Sequence, residues 1–208
     1  MDTDPLSLLL TRIRACDHCA ERFAKTASAH APNPVLRASG TATICIAGQA
    51  PGIRVHLSGT PFTDPSGVRL RDWMGVDEAV FYDIARIAIL PMAFCFPGHT
   101  ATRADLPPPR DCARLWRAPL FESLPALRLI LLVGKAAQDW HLDDRDGMAE
   151  RVRRWTASPL TQSDTPCGVE SIPLPHPSWR NNAWLKANPW FETETLPRLR
   201  ASLSRHLP

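Results

Sequence analysis

Six cysteines, at positions 16, 19, 45, 95, 112 and 167, are the residues of this 208-residue chain whose type and spacing most directly suggest chemistry. Cys16-x-x-Cys19 places two thiolates close enough to share one metal centre. Cys95 and Cys112 flank a proline-rich stretch and could supply two more, with 75 residues between the second and third cysteines and 16 between the third and fourth. Four thiolates serve zinc as well as an iron–sulfur cluster, and an isolated C-x-x-C can be only a redox pair. A disulfide framework is the wrong first reading for a chain expected in a reducing compartment. Cys45, inside the apolar run TICIAG, reads as an ordinary core thiol, and Cys167 has no assignment.

Other chemistry is excluded by what the motifs lack. Gly134-Lys135 is followed by Ala136 instead of Ser or Thr, and Gly48-Gln49-Ala50-Pro51-Gly52 is not G-x-G-x-x-G, so neither a phosphate-loop ATPase nor a dinucleotide enzyme is supported. Composition adds a hint about partners. The basic side chains are 21 Arg to 3 Lys, and the Arg fork of donors matches phosphate oxygens. With a net charge of only +3, a GC-rich genome that writes Arg for Lys explains the bias as well as a nucleic-acid partner does.

The elements that must position these residues follow from periodicity. Hydrophobic residues at 44% and charged residues at 22% fit a folded globular chain, and 208 residues suit a single domain spanning 1–208. Short continuous apolar runs alternate with helical patterns, as parallel strands buried on both faces require. Strands are expected at 43–47, 84–90, 129–133 and 169–174, and helices around 6–24, 67–74, 111–124, 135–140, 148–155 and 192–206. Long loops are expected at 91–110 and 156–168. The strands end in GQAPG, GKAAQ and PHPS, and open α/β sheets build their sites at such carboxyl ends. The longest apolar stretch, 129–133, is far short of a membrane span, and the start MDTDP is unlike a signal peptide. A cytoplasmic protein with no membrane partner is the expectation.

Cys16-x-x-Cys19, then Gly48-Gln49-Ala50-Pro51-Gly52, then Gly59-Thr60-Pro61-Phe62, then two spaced cysteines, then His176-Pro177-Ser178 form an ordered set. In that order and spacing the chain resembles the uracil-DNA glycosylase superfamily, nearest its iron–sulfur-bearing bacterial branches, families 4 and 5. The resemblance implies a three-layer α/β/α sandwich around a four-stranded, mainly parallel sheet. It implies a 4Fe-4S cluster on Cys16, Cys19, Cys95 and Cys112, with zinc second. It also implies excision of uracil or another deaminated base from DNA in base-excision repair, by a protein expected to be a monomer.

That chemistry makes demands that named residues can meet. The base must leave the stack, be held in a pocket, and carry away negative charge as its glycosidic bond breaks. Phe62 is similar to the family's stacking ring, and His176 to its donor on the base carbonyl, where a neutral imidazole suffices. The GQAPG turn would offer backbone N–H groups and line the pocket floor. Ser66 and Ser178 are expected at flanking phosphates, with Trp179 and Arg180 at the minor groove and Asn181 and Asn182 as amide donors. Trp184 and Trp190 read as packing.

Two departures stand out. Relatives carry an acid in the first motif, as Glu in GEAPG or Asp in GQDPY, where this chain has Gln49 and Ala50. Asp64 is the substitute carboxylate for the sugar cation, with Asp83 second. Relatives also read uracil with an Asn near the end of the second strand, where this chain has Leu90-Pro91-Met92. His56 is assigned to the pocket rim or to structure. The rival reading is a lesion-binding iron–sulfur protein that is catalytically weak or inactive.

Overall fold

A computed structural model of the protein describes residues 4–158 and 169–207. Most of the expected 156–168 loop, and Cys167 with it, lies outside the described residues. In chain order the elements are α1 (Pro5–Arg14), α2 (Ala20–Ala24), β1 (Ile44–Ala47), α3 (Ile53–Ser58), α4 (Pro65–Met74), α5 (Glu78–Tyr82), β2 (Ile87–Ile89), α6 (Arg110–Glu122), β3 (Leu129–Val133) and α7 (Lys135–His141). There follow α8 (Met148–Ala157), β4 (Glu170–Leu174), a 3-10 turn (Trp179–Asn181), α9 (Asn182–Ala187), a π-type turn (Phe191–Thr195) and α10 (Leu196–Ser204). No helix among the described residues is long and apolar enough to cross a membrane.

The four strands form one sheet in the order β2-β1-β3-β4, every neighbouring pair parallel. Parallel strands are covered on both faces, which is why their sequences read as continuous apolar runs. Alternation divides the side chains between two cores. Cys45, Ala47, Ala88, Leu90, Ile130 and Leu132 pack with Leu6, Leu9, Leu10 and Ile13 of α1 and Ala113 and Leu120 of α6. Ile44, Ile46, Ile87, Leu131, Val133 and Ile172 pack on the other side with Leu70 and Trp73 of α4, Trp155 of α8 and Leu199 of α10. The result is the expected three-layer arrangement, and Cys45 is the fully buried core thiol the sequence suggests.

Boundaries differ from expectation where burial runs out. The expected 6–24 helix breaks after Arg14, because the apolar stripe ends at Ile13 and the next turn, Ala15-Cys16-Asp17, offers little to bury. Backbone bonds from Cys16 to Ile13 and from Ala20 to Asp17 turn the chain there, setting both cysteines outside a regular helix. The 84–90 strand shortens because Asp83 accepts from the backbone N–H groups of Ala85, Arg86 and Ile87 and holds a turn. The last helix opens on the wide 191–195 turn because Pro197 has no N–H to continue an ordinary ladder.

One buried pair braces the sheet near its carboxyl end. Arg117 of α6 donates from Nε to His141 Nε2 at 2.6 Å and from Nη1 to the Leu90 carbonyl at 3.1 Å. Burial, then the Arg117 charge, pushes the His141 pKa down to about 2, so it stays a neutral acceptor. The unfolded chain binds a proton at this position below about pH 6.5 and the native chain does not, so stability falls as pH drops through that value. Between pH 7 and pH 5 this one histidine removes about 2 kcal/mol. Urea unfolding at the two pH values checks it: His141→Gln, which keeps an acceptor for Arg117, loses that share of the acid sensitivity.

Candidate functional site

A cleft of about 620 Å³ opens over the carboxyl ends of the strands. Gly48, Gln49, Ala50, Pro51, Gly52, Phe62, Asp64, Ser66, His176, Ser178, Trp179, Arg180 and Asn181 all line it. They come from the β1 exit, the entry to α4 and the β4 exit, so the parallel topology is what gathers them. Asp83 does not line the cleft. It precedes β2 at the amino end of that strand, pairing with Arg86 at 3.2 Å, and is set aside as the site carboxylate.

The 48–52 turn is held by the segment after β2. Met92 and Ala93 donate their N–H groups to the carbonyls of Gly48 and Gln49 at 2.9 and 3.1 Å. Among the described residues, the backbone N–H groups of Gln49 and Ala50 donate to no protein acceptor. Gly48 also carries no side chain where one would meet Phe62: a Cβ there would lie 3.3 Å from the Phe62 Cζ.

Phe62 sits at φ 56°, in the left-handed region that a bulky residue rarely adopts. Three contacts hold it there. Tyr82 Oη donates to the Pro61 carbonyl at 2.8 Å, the Phe81 ring stands edge-on at 5.9 Å, and the Phe62 carbonyl presses on Gly67. Strain maintained by its surroundings in this way tends to cluster at functional sites.

His176 follows β4 with its ring half-buried. The Ser178 N–H donates to Nδ1 at 3.2 Å. That bond leaves the proton of the neutral ring on Nε2. Burial lowers the His176 pKa from the ordinary value; nearby Asp64 opposes the shift and Arg180 adds to it. The ring is therefore a neutral Nε2–H donor. Asn181 donates one Nδ2 hydrogen to the His176 carbonyl at 2.6 Å, which braces the turn. Asn182 accepts through Oδ1 from Arg69 Nη1 at 2.8 Å.

Asp64 lies close enough for its charge to act on His176, and it also caps α4, accepting from the Gly67 N–H at 3.3 Å. Ser66 is inside the first turn of α4 instead of ahead of it, and Ser178 caps the 3-10 turn by position only. Neither hydroxyl has a hydrogen-bond partner among the described residues, and both face the cleft. At the opening, the Trp179 side chain is 73% exposed, and Arg180 reaches Asp105 on the facing wall at 3.3 Å. His56 does not line the cleft. It packs edge-on to His30 at 5.0 Å and near Phe96, a structural place. Trp184 packs on Trp190 and Phe191, as expected.

Residues 37–200, well over half the chain, match the uracil DNA glycosylase superfamily. The chain belongs to that superfamily. The superfamily match takes in every expected cleft residue from Gly48 to Asn181 and begins after Cys16 and Cys19.

Those two cysteines, with Cys95 and Cys112, line a second, smaller pocket with Phe23, Ala93 and Trp116. Burial raises the Cys95 pKa to about 12 and that of Cys112 to about 11, and the neighbouring cysteines contribute to both shifts. The Phe94 N–H donates to Cys112 Sγ at 3.4 Å. Among the described residues, no group of three or more His, Cys, Asp or Glu side chains is drawn together tightly enough to hold a metal ion.

Arg69 is the superfamily-cleft residue that sequence reasoning missed. Its Nη1 contacts the Ser178 carbonyl at 3.4 Å as well as Asn182, tying α4 to the His176 turn. Gly67 was missed too, although a Cβ there would lie 1.8 Å from the Phe62 carbonyl oxygen. Gly67→Ala should therefore cost about 1–3 kcal/mol through forced backbone movement. Gly52→Ala, where a Cβ meets nothing within 4 Å, should stay within about 0.5 kcal/mol of the parent. Thermal unfolding of the two variants side by side tests whether the Phe62 turn has room to yield.

Proposed function

We propose that the protein is a DNA glycosylase that hydrolyses the N-glycosidic bond of uracil, or of another deaminated base, in DNA. The observation that carries this reading is His176 held as a neutral Nε2–H donor in the same cleft as the strained Phe62 ring and the Gln49 and Ala50 N–H groups. An extruded base stacks on Phe62 while Nε2–H and the turn amides meet its carbonyl oxygen. As the bond to C1′ breaks, its electron pair moves onto the base, and those donors stabilise the anion without transferring a proton first. The Asp64 carboxylate faces the cation left on the sugar. Water adds its oxygen to C1′, and the proton it releases neutralises the base anion. Ser66 and Ser178 supply hydroxyls for the flanking phosphates, with Trp179 entering the gap that the base leaves. With no Asn at Leu90-Pro91-Met92, backbone groups read the base edge.

The four cysteines are proposed to hold a 4Fe-4S cluster. Their sharing of one pocket supports the reading, with zinc as the second choice for four thiolates. The cluster's contribution is structural, joining the segment before residue 37 to α6 and the 91–109 loop, and no step of base release passes through it. A monomer in the cytoplasm is part of the same proposal.

A second reading has its own support. Gln49 cannot accept a proton from water as a carboxylate does, and one Asp64 oxygen is engaged by Gly67, which suits a lesion-binding protein with little or no hydrolysis. Anaerobically purified protein, assayed for iron and acid-labile sulfide, should be incubated with uracil- and hypoxanthine-containing oligonucleotides and the abasic product cleaved with alkali. Release is expected, falling about 10²–10³-fold in His176→Ala and about 10²-fold in Asp64→Asn. Loss of the Phe62 ring should weaken lesion binding by about 1–3 kcal/mol. Tight lesion binding with no product over hours establishes the second reading instead.

A further inference from the structure

Asp105 places a carboxylate in a cleft proposed to accept a polyanion, and it is built into the wall. The 98–106 segment folds as a hairpin: Thr100 N–H donates to the Ala104 carbonyl at 2.8 Å, Leu106 N–H to the Gly98 carbonyl at 2.9 Å, and His99 and Asp105 pair across it. Its base is anchored to the N-terminal segment. Ala27 donates to the His99 carbonyl at 3.2 Å, His99 N–H to Ser28 Oγ at 3.2 Å, and Gly98 sits against Thr26 at φ 98°. The carboxylate itself is oriented by His99, whose Nε2 lies 3.3 Å from Oδ1.

The other oxygen, Oδ2, holds Arg180 Nη1 at 3.3 Å. Arg180 has the longer and more exposed side chain of the two, 60% against 40%, and its nearest other group among the described residues is the exposed Trp179 ring at 5.9 Å. Arg69, by contrast, is tied to Ser178 and Asn182. An exchange of partners between the two walls therefore moves Arg180 and leaves Asp105 in place.

We propose that Asp105 occupies Arg180 in the free protein as an internal stand-in for a DNA phosphate, and that a seated lesion displaces it. This rests on the DNA-binding reading above. An exposed ion pair is worth little, so a phosphate held close by can replace the carboxylate. The exchange leaves the Asp105 carboxylate, oriented by His99, beside a phosphate, which opposes binding. An undamaged duplex brings nothing to offset that repulsion. A duplex with an extruded base adds the contacts at Phe62 and His176, which outweigh the same penalty.

Fluorescence anisotropy with a labelled undamaged duplex and its uracil-containing counterpart tests this on four proteins: the parent, Asp105→Asn, Arg180→Gln and the double variant. Asp105→Asn should bind both duplexes about two- to fivefold more tightly, the range expected for releasing one exposed pair. In the Arg180→Gln background the same change should gain clearly less, because only the carboxylate–phosphate repulsion is then relieved. An equal gain in both backgrounds, or weaker binding by Asp105→Asn, overturns the proposal, the first showing general repulsion and the second that Asp105 only orients Arg180. Absence of binding by all four proteins at low salt removes the DNA-binding reading itself, a result distinct from either.

Discussion

One hydrogen bond decides what the cleft can do: the Ser178 N–H donates to His176 Nδ1. With Nδ1 an acceptor and the ring kept neutral by burial, Nε2 carries the only proton, and the histidine is a donor and not a base. The rest of the β4 exit serves that bond. Asn181 holds the His176 carbonyl, Arg69 holds the Ser178 carbonyl from α4, and buried Gln138 donates to the Leu174 carbonyl at the end of the strand. Gly134, at φ 85°, keeps space beside the His176 side chain, where a Cβ would come within 3.4 Å. A turn fixed from three sides can keep one tautomer; a free loop cannot.

The facing wall solves a different problem. Phe62 must present a ring to the cleft while the chain reverses into α4, and the reversal puts it at a positive φ. Three separate features meet that demand: the absence of a side chain at Gly67, the Tyr82 hydroxyl on Pro61, and the Phe81 ring. They come from α4 and α5, whose other faces pack in the Ile44 and Leu131 core. The strain is thus supported by the fold's own burial of apolar surface.

How far the sequence discloses this depends on the range of the interaction. Strands were legible because two-faced burial leaves continuous apolar runs, and the motifs GQAPG, GTPF and HPS were legible because each places its chemistry within a few residues of a strand end or helix start. Asp64 was legible as a carboxylate but not as the cap of α4. Arg69 and Asp105 were not legible as partners, since each acts through a residue more than 70 positions away, and nothing local marks such a pair. The short helices α3, α5 and α9 were missed because five or six residues do not complete two turns of periodicity. The break after α1 came from the loss of an apolar stripe, a signal present in the residues at 15–19.

The segment after β2 joins these observations. Leu90 takes a bond from buried Arg117, Met92 and Ala93 hold the 48–52 turn, and Phe94 donates to Cys112. Pro91 lines the cleft while Ala93 and Cys95 line the cysteine pocket, so a few residues of bending chain form a wall of both. Cys112 is thus joined through Phe94, Ala93 and Met92 to the 48–52 turn. Cys95 and Cys112 therefore bear on the cleft by position, and the carboxyl end of β2 is where the two pockets share one wall.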